Sequence, residues 1–322
     1  MTEFKKEFKI KFRGVRGSHP VSAINKNKYG GNTSCIELRI NGHIIILDAG
    51  TGIIELGNDL MREHIGSGTD VLDRNPVEAV ILFSHTHMDH IQGLPFFKPT
   101  YINSSKMYLF GTQTHGKDFQ QFVGDSIFKL MVPVSLEEVN AEIKINNLKE
   151  TNAIILNPDS TEPELISFKD EKDIKIKENA VLITFIKSHI HPKEGVSVFK
   201  IKCNDKTLVY ATDRECNTDE DIKLINFSKE ADLLIHDAQY TMEDYVSPVN
   251  PKEGFGHSTP EMAIEIAKKA KASQLVFYHI DPSYNDNFIT KLEEKTRGLF
   301  NNSLFAYENL EIDLMQVKCE VS

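Results

Sequence analysis

Val80-Ile81-Leu82-Phe83-Ser84-His85-Thr86-His87-Met88-Asp89-His90 is the stretch on which the reading of this chain turns. A short apolar run of strand character empties into three imidazoles and a carboxylate within six positions. Packing alone gives no reason for such a concentration of histidine. The residues suit two divalent metals held side by side, and a strand end gives the rigid base that such geometry needs. Residues two apart in an extended segment can project the same way. His85 and His87 can therefore share one metal, while Asp89 and His90 face a neighbouring one.

Four groups do not close two metal sites, so further ligands are expected from later strand ends. Three apolar runs end in suitable residues: the strand before Ser188-His189-Ile190-His191, the run Leu208 to Asp213, and Val276-Phe277-Tyr278-His279. The candidates are His191, with His189 competing for its role, Asp213 and His279. A carboxylate such as Asp213 can bridge both metals through its two oxygens. Imidazole and carboxylate together suit zinc first, and manganese or iron accept the same donors. His19, His43, His64 and His115 stand on polar or loop segments and are read as structural.

The bulk numbers bound the alternatives. A chain of 322 residues with 40% apolar and 26% charged content carries enough core for one large mixed domain. A net charge of −10 excludes a sequence-wide electrostatic grip on nucleic acid, though not a local basic patch. Cys35, Cys203, Cys216 and Cys319 lie far apart without metal or redox spacing, which fits a reducing compartment. The charged segment Met1 to Glu7 is neither a signal peptide nor an anchor, and no apolar run approaches the roughly 18–20 residues of a spanning helix. A cytoplasmic protein is expected.

Strands are predicted at Phe8 to Phe12, Cys35 to Ile40, His43 to Leu47, Ala79 to Phe83 and Met107 to Phe110, with a hairpin turn at Asn41-Gly42. Later strands are Val181 to Ile186, Val196 to Lys202, Thr207 to Tyr210, Leu233 to His236 and Leu275 to Tyr278, with two closing strands around Leu304 and Leu314. Helical spacing marks Ile53 to Arg62, Phe119 to Leu130, Ile222 to Phe227, Thr259 to Ala270 and Phe288 to Arg297. Pro260 suits a first helical position, with Ser258 or Thr259 as cap. The stretch 144–177 is polar and acidic and reads as a surface insertion in a single domain spanning 1–322. Strands leading each half and helices following them predict an α+β fold: two mixed sheets face to face with helices outside, a four-layer αββα sandwich.

The run His85-x-His87-x-Asp89-His90-x-x-Gly93-Leu94-Pro95 resembles the metallo-β-lactamase superfamily, and its Gly-Leu-Pro tail is similar to the ribonuclease Z and phosphodiesterase branch. Asp48-Ala49-Gly50-Thr51-Gly52, Tyr210-Ala211-Thr212-Asp213 and Gly256-His257-Ser258-Thr259 resemble that branch too, so the likeness runs from about Gly14 to Asp281. The resemblance implies His85, His87 and His191 on a first metal, Asp89, His90 and His279 on a second, and Asp213 as bridge. It implies His257 as the acid that protonates the leaving group, with Asp237 orienting it where the branch often has glutamate, a shorter acid and a looser pairing. It also implies a homodimer. The segments Arg13 to Pro20 and Tyr29 to Ser34 are similar to a subgroup of bacterial hydrolases often compared with cyclic-nucleotide phosphodiesterases.

Those residues support a dinuclear phosphodiesterase acting on a small nucleotide or cyclic-nucleotide phosphodiester. Two divalent ions roughly 3.5–4 Å apart turn a bound water into hydroxide near neutral pH, and Asp89 can aim it. Ser258 and Thr259 can either donate to a phosphate oxygen or cap their helix. The Gly14 to Ser18 loop, with Arg13 and Arg16, can meet a phosphate but reads first as a turn with solvated arginines, and Tyr29, Phe96 and Phe97 can stack on a base or pack. The 144–177 stretch contains Asp159, Glu162, Glu164, Asp170, Glu171 and Asp173, which its lysines balance at best, where transfer-RNA-processing relatives bear a basic arm; this argues against transfer RNA as substrate. Alternatives are a hydrolase of lactone, thioester or amide bonds on the same scaffold, or a non-catalytic relative that binds a ligand and keeps metal for folding. A di-iron redox protein fits least, because such relatives place glutamate where this chain has His87.

Overall fold

Along the strand Glu78–Leu82 the side chains alternate between two interiors. Val80 and Leu82 enter a core between two sheets, while Ala79 and Ile81, with Phe83 just beyond, enter a second core beneath outer helices. A strand buried on both faces reads as a continuous apolar run, which is why this one stood out. The computed structural model describes residues 6–114, 116–128, 135–192, 194–216 and 218–316.

The first sheet contains β1 (Phe8–Gly14), β2 (Cys35–Ile40), β3 (His43–Leu47), β4 (Glu78–Leu82), β5 (Lys106–Thr112), β6 (Glu142–Leu148) and, at the far edge, β15 (Glu311–Asp313), in the order β15-β1-β2-β3-β4-β5-β6. The second contains β7 (Asn152–Leu156), β8 (Glu164–Ser167), β9 (Val181–Ser188), β10 (Val196–Cys203), β11 (Lys206–Ala211), β12 (Leu233–Asp237), β13 (Gln274–Tyr278) and β14 (Ser303–Phe305), in the order β14-β13-β12-β11-β10-β9-β7-β8. Asn41 and Gly42 close the β2–β3 hairpin with φ of 49° and 89°, the paired left-handed turn that matches strand twist.

Both sheets are mixed. β3 through β6 run parallel, as do β11 through β14. Helices α1 (Gly52–Gly66) and α3 (Phe119–Phe122) cover the first sheet, and α6 (Pro260–Ala270) and α7 (Asp286–Arg297) the second. The short α2 (Met88–Ile91), α4 (Thr218–Phe227) and α5 (Met242–Tyr245) fill the connections. The four-layer expectation holds in this arrangement. No described helix is long and apolar enough to cross a membrane.

The 144–177 stretch supplies β6 to one sheet edge and β7 and β8 to the other. Its polarity belongs to half-exposed edge strands: β8 shows no buried side chain, and charged edges protect against strand addition. The helix expected from Phe119 is four α-helical residues continuing as a π-helical segment, Val123–Phe128; Leu130 lies outside the described residues, as do His115 and Cys319.

Candidate metal centre

Parallel strands leave their carboxyl ends along one edge, where α/β folds place their sites. Asp48 follows β3, His85 follows β4, Asp213 follows β11, Asp237 ends β12 and His279 follows β13. Asp48, Asp213 and His279 all have left-handed backbones, with φ of 60°, 49° and 61°. Non-glycine residues rarely adopt that region, and such strain gathers at functional positions.

Two groups of donors converge there, each with its ligand atoms within 4.8 Å of one another: His85, His87, His191 and Asp213, and Asp89, His90, Asp213 and His279. Asp213 belongs to both. Its Oδ1 lies 3.1 Å from His90 Nε2, and its Oδ2 lies 3.2 Å from His279 Nε2 and 3.6 Å from His85 Nε2. His191 Nε2 is 3.0 Å from His87 Nδ1, whereas His189 is exposed and outside the group. His279 Nε2 is 3.0 Å from Asp89 Oδ2 and 3.2 Å from His90 Nε2.

Ring nitrogens face each other at 3.0–3.2 Å inside the buried site, so at most one of each pair can carry a proton. The buried His85 Nε2 has no hydrogen-bond partner at all. Burial, then the neighbouring His90, pushes His85 well below its ordinary pKa, and burial with His191 brings His87 down to about 4. Burial would also depress His90, but Asp213, Asp89 and Asp48 outweigh it and raise it well above the usual range. Asp89 and Asp213 are held well below the usual carboxylate range; burial opposes this, but His90 and His279 prevail. Neutral His85 and His87 beside ionised Asp89 and Asp213 are donors of a divalent metal, and the three carboxylates that hold a proton on His90 would equally favour a metal cation in its place.

A second layer fixes the rings. Asp48 accepts from Ser84 N–H, Ser84 Oγ and Tyr210 OH, each at 2.7 Å, and from His90 Nδ1 at 2.8 Å. Ser84 Oγ in turn lies 3.1 Å from His85 Nδ1. The carbonyl of Gly256 lies 3.1 Å from His191 Nδ1. Glu215 accepts from the N–H groups of Gly254 and Gly256 at 2.7 and 2.9 Å and from Tyr245 OH at 2.5 Å. Sequence reasoning assigned no role to Asp48 or Glu215. Asp48 had a signal, since it follows a strand as His85 does; Glu215 had none, because its partners lie about forty residues away.

His257 stands beside both groups, its ring centroid 5.2 Å from that of His191 and 5.0 Å from that of His279. Its Nδ1 is 2.8 Å from Asp237 Oδ2, so the shorter acid still makes a close pair. Burial would lower His257, but Asp237 outweighs it and lifts the pKa to about 8. Ser258 Oγ donates to the carbonyl of Arg214, which commits its hydroxyl proton, and Thr259 Oγ1 caps α6 by accepting from Met262 N–H.

The arginines of the first loop are not solvated. Arg13 is buried between Glu37 and Asp59, and Arg16 donates to the carbonyls of Gly30, Asp281 and Tyr284. The loop reaches the site by its backbone instead: Ser18 N–H donates to Asp89 Oδ2 at 2.7 Å. Tyr29 and Phe97 are core residues, whereas Phe96 is exposed.

The family model described as Beta-lactamase superfamily domain matches residues 43–280. A Ribonuclease Z from Picrophilus torridus is 26% identical over 326 residues, covering 95% of this chain and 96% of its own. Among solved structures, the metallo-beta-lactamase fold protein YhfI from Bacillus subtilis superposes with a TM-score of 0.63 at 18% identity, covering 96% of this chain and 100% of its own. Human tRNase Z, short form, superposes at 0.59 and 17%, covering 94% and 98%. The likeness to a Ribonuclease Z over nearly the whole chain overturns the expectation that transfer RNA is an unlikely substrate. That expectation rested on the acids of 144–177, several of which are paired with lysines: Asp159 with Lys177, Glu162 with Lys144, and Glu171 with Lys200 and Lys202. This chain is a metal-dependent hydrolase and belongs to the beta-lactamase superfamily.

Proposed function

We propose that the protein is a dinuclear phosphodiesterase that hydrolyses a nucleotide phosphodiester, with RNA or a cyclic nucleotide as the substrate to be told apart by experiment. His85, His87 and His191 would hold a first metal and Asp89, His90 and His279 a second, with Asp213 available to either; zinc fits this nitrogen-rich set best. Divalent ions held there would supply Lewis acidity toward a phosphoryl group and lower the pKa of a bound water. Free thiols at Cys35, Cys203 and Cys216 support a cytoplasmic setting.

The observation that carries the reading is the His257–Asp237 pair beside both clusters. Asp237 holds Nδ1–H of His257, which leaves Nε2 to deliver a proton, and a pKa of about 8 keeps that proton on at neutral pH. A leaving alkoxide of ribose needs such an acid, whereas a thiolate leaves without one. Asp89 engages Ser18 N–H through Oδ2, and its remaining acceptor capacity aims the attacking water.

Metal analysis of the purified protein, then a substrate panel, tests this. Turnover of bis(p-nitrophenyl) phosphate with cyclic nucleotides or RNA, and none of nitrocefin or an acyl-homoserine lactone, is expected. The reverse pattern overturns the reading in favour of another bond class. His257→Ala should lower turnover by about 10²–10⁴ with metal content unchanged; full turnover in that variant removes His257 from the mechanism.

A further inference from the structure

Beside His257 lies a set of groups that the hydrolytic machinery does not use. Tyr240 meets the His257 ring edge-on, centroids 5.8 Å apart. Lys252 Nζ sits 5.7 Å from the Tyr240 ring centroid and 5.2 Å from that of Phe255. Phe255 is 49% exposed, and no carboxylate is paired with Lys252 among the described residues. Tyr240 also lines a cavity of about 400 Å³ with Ser18, His19, Lys26, Gln239 and Asp281. The cavity, the Lys252–Phe255 pair and His257 thus meet at one residue.

The segment that carries Lys252 and Phe255 is built rather than loose. Glu215, itself buried, ties its start through Tyr245 OH and its end through the N–H groups of Gly254 and Gly256. Lys252 N–H donates to the Tyr245 carbonyl at 3.0 Å, and Phe255 N–H to the Lys252 carbonyl at 3.1 Å. An isolated exposed phenylalanine needs no explanation. An exposed ring with a cation over it, on a segment pinned by a buried carboxylate two residues before the proton donor, does.

We infer that Phe255 and Lys252 form a nucleotide subsite: a base stacks on the open face of Phe255, and the Lys252 ammonium sets itself against the adjoining phosphate. The inference rests on the phosphodiesterase reading above and names what that substrate presents. Every base offers a π-face, so such stacking tolerates sequence, and a cation held at the ring adds charge complementarity.

The chain contains no tryptophan, so Phe255→Trp installs a single fluorescent reporter. Its emission should be quenched saturably by AMP and not by ribose 5-phosphate. By calorimetry, Phe255→Ala should weaken AMP at least about tenfold, and Lys252→Met should weaken AMP more than adenosine. In turnover, Phe255→Ala should lower about tenfold the preference, in kcat/KM, for thymidine 5′-p-nitrophenyl phosphate over methyl p-nitrophenyl phosphate. Quenching by ribose 5-phosphate alone, or AMP affinity unchanged in Phe255→Ala, overturns the subsite. If the wild-type protein turns over both esters with a preference that Phe255→Ala does not alter, the subsite is overturned and the hydrolase reading stands. If it turns over neither yet binds AMP through Phe255, the subsite is upheld and the hydrolase reading is overturned.

Discussion

Asp48 Oδ2 lies 2.8 Å from His90 Nδ1, and both residues are wholly buried. The carboxylate fixes the tautomer and direction of a ring whose other nitrogen lies at the second metal group, the arrangement through which outer partners govern metal affinity. Asp48→Asn puts an amide where a charge stood. Zinc affinity, measured by competition with a chromogenic chelator, should fall about 10–100-fold at one of two sites. Unchanged affinity at both sites would show that His90 needs no such partner.

Gly256 has φ of 88°, and a Cβ there would lie 2.5 Å from His191 Nδ1. Gly254 has a similar φ of 82° with nothing within 4 Å. Both alanine variants carry the left-handed penalty of about 1–2 kcal/mol, but only Gly256→Ala displaces a ligand ring. The expectation is one metal equivalent for Gly256→Ala and two for Gly254→Ala, read by elemental analysis.

Glu215 holds three donors from inside the protein. Glu215→Ala orphans them at about 1–3 kcal/mol for the buried ones, and the segment it ties should open locally before the rest unfolds. Trypsin should cut after Lys252 at least about tenfold faster than in the wild type. An unchanged rate, with the global melt preserved, would mean the segment is held by other contacts.

His236 is fully buried in β12; burial brings its pKa down to about 4, and its Nε2 has no hydrogen-bond partner. Unfolded histidine titrates near 6.5, so below that pH the unfolded chain binds the proton first. Stability contributed by the neutral ring is present above about 6.5 and is lost as pH falls toward 4, on the order of 3 kcal/mol in all. Urea melts at pH 7.5 and 4.5 should show a smaller acid loss for His236→Leu than for the wild type. Equal losses in both proteins would remove His236 as a source of acid sensitivity.

The sequence showed what local chemistry can show. His85 to His90 advertised themselves by crowding, and Asp213 and His279 by following apolar runs. β6 and β8 were hidden because edge strands carry exposed polar side chains, so their alternation was diluted. Arg13 and Arg16 looked solvated because Arg13's partner Glu37 stands 24 residues away and Arg16's partner Asp281 stands 265 away. The resemblance named the Asp237–His257 pair but not its closeness, which depends on how β12 meets the α6 cap rather than on which acid is present.

The donors divide between the halves of the molecule: His85, His87, Asp89 and His90 come from the first sheet's side, and His191, Asp213 and His279 from the second. Bound ions would therefore act as rivets across the sandwich. Parting the two halves at that edge dismantles both coordination spheres in one motion, so the centre is gained or lost as a unit and reports on whether the sandwich is shut.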